Sequence, residues 1–248
     1  MQHCDCGRHR PGGPGGRRAL LAAAAGAFGC AAVGLAPVPA RAAGPAVPRT
    51  TLTPDQALNL MKEGNNTFKT EAPFRAAQGR DRRIELARGQ APFCVLVGCS
   101  DSRVSPELLF GRGLGELFII RNAGNTVDTA ALGSIEYGVG VLGCPLIVVL
   151  GHEACGAVAA AVDVVEKNAV FPGVIGEMIQ PIVPAVLEAR RMTTGTLLDN
   201  SVVANAKRVA TRLRTQSPVL QEALRGGKLK VVPAHYDLDD GHVDFLTE

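Results

Sequence analysis

Two cysteines and one histidine occupy positions where chemistry is easily assembled. Cys99 follows the apolar run 93–97 after one glycine, and His152 follows the apolar run 146–150 after another. Cys155 comes next, where Gly156 opens an Ala/Val-rich stretch. If the two runs are neighbouring strands of a parallel sheet, all three side chains arrive at one spot, because ligands collect at the carboxyl ends of such strands. Two thiolates and an imidazole suit zinc, which is tetrahedral and leaves room for a fourth ligand. Three protein ligands rather than four is the catalytic pattern, the open position holding a water whose pKa the metal brings to about 7. Cys99-Ser100-Asp101-Ser102-Arg103 sets a carboxylate near the first ligand and a guanidinium just beyond it. The carboxylate can accept a hydrogen bond from bound water or displace it as fourth ligand, and the guanidinium keeps it ionised and oriented. Cys94 and Cys144 read as small buried hydrophobes.

The elements that must position these residues follow from hydrophobic patterning. The runs 93–97, 117–120 and 146–150 are apolar at every position and predict parallel strands buried on both faces. Thr53-Pro54-Asp55-Gln56 is a helix start with capping Thr, early Pro and Gln after the cap. Further helices are expected at 80–88, with Arg82, Arg83 and Arg88 on a solvated face, at 129–142, after Gly156, and at 201–215 and 218–225. Strands at 228–232 and 243–246, joined through Asp240-Gly241, close the chain. The fold class is therefore α/β: a mostly parallel central sheet flanked by helices, with a closing β-hairpin at the C-terminus. His235 and His242 are expected at the surface of that hairpin, titratable near neutrality but without a role.

Four segments together carry a resemblance: Cys99-Ser100-Asp101-Ser102-Arg103, Arg121-Asn122-Ala123-Gly124-Asn125, Ile135-Glu136-Tyr137, and Gly151-His152-Glu153-Ala154-Cys155-Gly156. In order and spacing they resemble the β-class carbonic anhydrases. The match is dense over 90–158, weakest over 166–191, and resumes at Tyr236-Asp237-Leu238 with Gly241 and Val243. The resemblance implies one zinc per chain on Cys99, His152 and Cys155, an orienting pair Asp101 and Arg103, and a carbon dioxide pocket of Gln90, Phe118, Ala123 and Tyr137. It implies reversible hydration of carbon dioxide to bicarbonate by attack of zinc-bound hydroxide. It also implies a homodimer or homotetramer in which Gln90 and Phe118 meet the metal site from different subunits. Ala123 stands where the family often has Val, and Gly138 where Ala is usual. The lack of any Trp argues against the family's Trp-containing allosteric bicarbonate site. Hydrolases of carbonyl sulfide or carbon disulfide share these motifs. An inactive zinc-bound sensor or binding module is the non-enzyme alternative, against which the intact Asp101 and Arg103 pair argues.

The N-terminal part has a different character. Paired Arg17-Arg18 precede a stretch, 19–36, without a charge, and Ala40-Arg41-Ala42 has the small-x-small form of a cleavage site. A basic start, a weakly apolar Ala/Gly-rich middle and a small-residue end resemble a twin-arginine signal. The expected organisation is a signal peptide at 1–42, a linker at 43–50 and one domain at 51–248. Processing near Ala42/Ala43 after passage through the twin-arginine machinery makes the product periplasmic or secreted. An uncleaved anchor is the competing reading, although the low Leu/Ile content makes a poor one. Lipidation of Cys30 competes too, but Ala27-Phe28-Gly29-Cys30 fits a lipobox badly. His3, Cys4, Cys6 and His9 have the look of a metal cluster, but they precede the arginines in a segment expected to be removed, and a flexible leader is the expected reading. The net charge of +3 is concentrated there, since 1–42 hold five Arg and one acid. The remainder is close to neutral and aromatics make up 4% with no Trp, so nucleic acid is not an expected partner.

Overall fold

The computed structural model describes residues 48–246. The signal segment 1–42, linker positions 43–47 and the His3, Cys4, Cys6 and His9 cluster lie outside the described residues. No helix among the described residues is long and apolar enough to cross a membrane.

The sheet is built from β1 (Cys94–Gly98), β2 (Leu117–Arg121), β3 (Leu146–His152), β4 (Lys230–Tyr236) and β5 (Val243–Phe245), in the order β2-β1-β3-β4-β5. The first four are parallel, and β5 returns antiparallel to β4 as the expected closing hairpin. From β1 the chain steps outward to β2 and then back past β1 to β3. The connection therefore reverses direction between β1 and β3, and a crevice opens there at the carboxyl ends of the strands.

Side-chain alternation divides the core in two. Val95, Val97, Ile147 and Val149 face α4 (Thr129–Glu136), α8 (Leu197–Gln216) and α9 (Pro218–Arg225). Cys94, Leu96, Leu146, Val148 and Leu150 face α1 (Pro54–Lys69) and α3 (Pro106–Leu109). Helices on both faces explain why β1 and β3 are apolar at every position. Helix α1 begins as expected: Gln56 N donates to Thr53 Oγ1 at 3.3 Å, and Thr53 N donates to Gln56 Oε1 at 2.9 Å. Its buried Asn65 ties the hairpin down, donating to Gly241 O at 2.9 Å and accepting from Val243 N at 2.9 Å.

Four expectations need correction. Strand β2 is not buried on both faces; it lies at the sheet edge, and only Ile120 on it is buried. The helix expected over 129–142 runs as α4 to Glu136 and then widens into a π-helical turn at Tyr137–Val141. That turn sits directly on the sheet: a Cβ on Gly138 would stand 2.6 Å from Val95 Cγ2, so glycine here permits a close approach. On α2 (Arg80–Leu86), Arg82 is not simply solvated, since its Nε donates to Leu114 O at 3.0 Å.

The fourth correction is His235. It is half-buried on β4 opposite Gly151, and its Nε2 is shut off from solvent without a hydrogen-bond partner. Burial lowers its pKa below the usual imidazole value, against the pull of Asp199, Asp237, Glu153 and Asp244. The unfolded chain therefore takes up this proton more readily than the folded one. The stability contributed by neutral His235 is complete above the ordinary imidazole pKa of about 6.5 and is lost as pH falls through that value toward the lower folded one. Thermal melts of His235→Gln should show a shallower loss of Tm than the parent between about pH 7 and about pH 5. Parallel curves for the two proteins would contradict this.

Candidate metal centre

Cys99, His152 and Cys155 converge at the crevice between β1 and β3. Cys99 is the first residue past β1, His152 the last of β3, and Cys155 the N-cap of α5 (Gly156–Lys167). Their ligand atoms all lie within 4.8 Å of one another, and the two sulfurs are 4.0 Å apart. The surround is apolar: Val158, Ala161, Ile179, Ile182, Val186 and Val202 pack around the cysteines. Ile179 ends α6 (Ile175–Ile179), Ile182 closes a short 3-10 turn, and Val186 lies on α7 (Val183–Ala189), all within the segment whose sequence matched the family least clearly.

His152 is fully buried, and the distance from its Nδ1 to Glu153 O is 2.8 Å. A carbonyl only accepts, so Nδ1 carries the proton and Nε2 presents a bare lone pair. That Nε2 has no hydrogen-bond partner. An orphaned lone pair beside two sulfurs in an apolar pocket is the donor set of a soft to borderline cation. A tetrahedral zinc with bonds of about 2.3 Å to sulfur would hold its sulfurs about 3.8 Å apart, so the cluster fits the ion with little movement. The thiols show the same need from the proton side. Cys99 is pulled well below the usual thiol value by its hydrogen bond with Cys155 and by backbone hydrogen bonds, against burial. Cys155 is pushed up by that same contact and by burial.

Asp101 flanks this cluster, its Oδ2 lying 3.9 Å from His152 Nε2. Arg103 grips both carboxylate oxygens: Nε donates to Oδ1 at 3.0 Å, Nη2 to Oδ2 at 2.8 Å, and the backbone N to Oδ1 at 2.9 Å. These bonds hold Asp101 well below the usual carboxylate range, the Arg103 side chain contributing most. Arg103 Nη2 also donates to Ala154 O at 3.2 Å, joining the first ligand loop to the second. Ala154 has a φ of 50°, in the left-handed region, so a strained residue sits between His152 and Cys155.

Of the pocket residues expected from sequence, only Ala123 is beside this centre. It opens the 3-10 turn Ala123–Asn125, whose Gly124 N donates to Cys99 Sγ at 3.3 Å. Phe118 pairs in register with Val95, and Tyr137 packs on Phe118 with ring centroids 6.2 Å apart. Val95 is four residues before Cys99, about 13 Å along an extended strand. Gln90 is exposed ahead of β1. Gln90, Phe118 and Tyr137 therefore lie toward the opposite end of the sheet from their own chain's metal centre.

Three residues emerge that motif reading gave no role. Arg121 Nε donates to Cys99 O at 2.8 Å and its Nη2 to Asp101 O at 2.6 Å, so the end of β2 clamps the ligand loop from beside it. Glu153 Oε2 accepts from Leu238 N at 3.1 Å, tying the ligand loop to the hairpin. Asn205 on α8 donates to Gly124 O at 2.9 Å. A polar residue breaking the apolar stripe of 201–215 was the available signal for Asn205.

The family model described as carbonic anhydrase matches residues 94–243. Carbonic anhydrase 2 of Mycobacterium tuberculosis is 40% identical over 188 residues, covering 76% of this chain and 90% of that protein. The carbonic anhydrase of Mycolicibacterium smegmatis is 37% identical over 194 residues, covering 78% and 94%. Among solved structures, a tetrameric β-carbonic anhydrase from Sordaria macrospora superposes with a TM-score of 0.61 at 28% identity, covering 67% of this chain and 86% of that one. The Coccomyxa β-carbonic anhydrase in complex with acetazolamide gives 0.57 at 27%, covering 77% and 82%.

The donor set carries a direct test. The parent should hold one zinc per chain by elemental analysis. Cys155→Ser, which replaces a soft sulfur with a hydroxyl, should lose most of it on dialysis; full occupancy in that variant would remove Cys155 from the ligand set.

Proposed function

The chain belongs to the β-class carbonic anhydrase family, and from that premise we propose how its residues divide the reversible hydration of carbon dioxide between them. The observation that carries the reading is the buried cluster of two sulfurs and an unpartnered imidazole nitrogen at the β1/β3 crevice. Zinc held by Cys99, His152 and Cys155 supplies Lewis acidity, which makes water nucleophilic near neutral pH.

The chain's own groups do the rest. Asp101, kept ionised by Arg103, is an acceptor beside the cluster and cannot donate. It accepts a hydrogen bond from the attacking water, so the oxygen's free lone pair turns toward the carbon of carbon dioxide. Arg103 fixes both carboxylate oxygens, so the acceptor is aimed before substrate arrives. To act instead as a fourth ligand, Asp101 would have to leave Arg103. Ala123 lies against the metal side of the pocket and is small there. The apolar packing of Ile179, Ile182 and Val202 excludes bulk water and suits an uncharged substrate over a charged one.

Gln90, Phe118 and Tyr137 complete the pocket only from a second copy of the chain. The register of Phe118 with Val95 supports this, because it sets that side chain far from its own Cys99. The unpaired edge of β2, with half-buried Leu117, Phe118 and Ile119, supplies a surface for the partner. The solved Sordaria macrospora relatives are tetrameric. A homodimer is the smallest assembly that completes the site, and a tetramer is a pair of such dimers.

Export rests on the residues ahead of the described structure. Arg17-Arg18 before an uncharged Ala/Gly-rich run fits the twin-arginine route, which carries folded proteins. The four cysteines among the described residues, all free and buried, give that route a purpose. A chain threaded unfolded into an oxidising compartment exposes these thiols to wrong disulfides, whereas one folded and metal-loaded beforehand does not.

Two experiments test these assignments. Asp101→Asn should keep its zinc and lose about 10²-fold in stopped-flow hydration rate, the range for removal of a positioned acid–base group. A variant as fast as the parent, or a parent that turns over carbonyl sulfide or carbon disulfide in preference to carbon dioxide, would overturn the reading. For export, replacing Arg17-Arg18 by Lys-Lys should leave active, unprocessed enzyme in the cytoplasm; normal export and cleavage of that form would mean a different route.

A further inference from the structure

Helix α8 presents an apolar face to the sheet. Val202, Ala206, Val209, Ala210 and Leu213 are buried along it, and the hydroxyl of Ser201 is satisfied within the helix, donating to Leu197 O at 2.6 Å. Asn205 breaks this pattern. Its side chain is 2% exposed, yet its amide does not turn back on its own helix; it crosses to Gly124 O at 2.9 Å. A buried amide among aliphatic neighbours is costly unless partnered.

Gly124 is a backbone position with little freedom of choice. Its φ of 67° and ψ of 26° are left-handed, and a Cβ there would stand 2.6 Å from Ile182 Cδ1. In this conformation its N–H donates to Cys99 Sγ at 3.3 Å in a buried setting. Gly124 is thus gripped through its carbonyl by α8 and directs its amide at a ligand sulfur. Glycine alone is the residue most able to leave such a conformation. The bond from Asn205 restricts that freedom.

We propose that Asn205 is a positioning residue of the metal centre: by holding the Gly124 carbonyl it fixes the N–H that bonds the Cys99 sulfur, and so sets how firmly and with how much electron density that sulfur holds the metal. The proposal rests on the zinc reading given above. A hydrogen bond to a thiolate draws density away from the metal and also fixes where the sulfur points. When Asn205 loses its amide, the Gly124 backbone relaxes, the sulfur is freed to move, and its lone pairs rise in energy. Partners that orient metal ligands in this way typically contribute about 10- to 100-fold in metal affinity.

The test uses Asn205→Ala, which leaves a gap, and Asn205→Leu, which fills it, so the two perturb packing in opposite senses while both remove the donor. Ser201→Ala on the same buried face is the control for a general disturbance of α8. Zinc release to a chelator should be about 10-fold faster in both Asn205 variants and unchanged in the control. In the cobalt-substituted proteins, the sulfur-to-cobalt charge-transfer band should move to longer wavelength in both Asn205 variants and stay in place in the control. Release rates and bands equal to the parent's in either folded variant would overturn the proposal, as would a band shift of the same size in Ser201→Ala. The parent provides a test independent of variant folding. After cadmium-113 substitution, the Gly124 amide proton should show scalar coupling to the metal through the sulfur, and its absence would also overturn the proposal. A parent that binds no zinc would instead sink the carbonic anhydrase reading itself, so the two failures are distinguishable.

Discussion

A histidine nitrogen with a bare lone pair, sealed from water beside two cysteine sulfurs, cannot be left as it is without cost. Nε2 of His152 has no donor to accept from, and the ring's one proton sits on Nδ1, donated to Glu153 O. The sulfurs of Cys99 and Cys155 are 4.0 Å apart, so ionising one opposes ionising the other. An ion of charge two removes both difficulties together. Much of the surrounding architecture holds these three side chains in place for a metal.

The sheet topology makes the cluster possible. Because the chain leaves β1 for β2 on one side and returns to β3 on the other, the loops after β1 and β3 diverge and leave a crevice between Cys99 and His152. Each loop is then fastened by groups from elsewhere. Arg121 at the end of β2 holds the carbonyls of Cys99 and Asp101. Arg103 bridges Asp101 to Ala154. Glu153 N donates to Tyr236 O, and its carboxylate accepts from Leu238 N, so the second loop is moored to β4 and the hairpin. These fastenings come from several segments distant in sequence, and the ligand positions are over-determined in a way that a single loop could not achieve. The left-handed Ala154 is tolerated for that reason.

What the sequence made legible were the residues whose environment is local. Cys99 and His152 each follow a run apolar at every position and a glycine, and such runs announce buried parallel strands whatever the tertiary context. The Thr53–Gln56 capping box is likewise a matter of four consecutive residues. What escaped depended on partners far along the chain. The π-helical turn after Glu136 reflects the contact of Gly138 with Val95, and nothing near Gly138 declares it. The edge position of β2 follows from strand order rather than from the composition of 117–121. His235 was expected at the surface because the pattern of β4 gives no sign of α8 lying over it. The segment 175–189 is cut by Gly176, Pro181 and Pro184 into turns too short for a helical period to show. Asn205 could have been noticed as a polar break in an apolar stripe, but its partner, a glycine carbonyl, has no side chain to signal the pairing.

The same register that builds the metal centre also limits what one chain can do with it. Parallel pairing sets Phe118 beside Val95 and Arg121 beside Gly98. The strand that contributes the Arg121 clamp at the metal end therefore contributes Phe118 to the opposite end. Moving Phe118 to the metal by a register shift would carry Arg121 past the loop it holds, and a shift by one residue would also turn every β2 side chain to the other face. The two demands on β2 conflict within a single subunit. In the dimer proposed above they are met together: a second copy, related by a two-fold axis, brings its own Phe118 and Tyr137 over the first copy's crevice while its Arg121 clamps its own ligand loop. An isologous interface repeats that exchange in both directions, so one surface serves both sites. In that proposed dimer the half-buried Phe118 and the 46% exposed Tyr137 belong to a pocket that one chain does not close around its own metal.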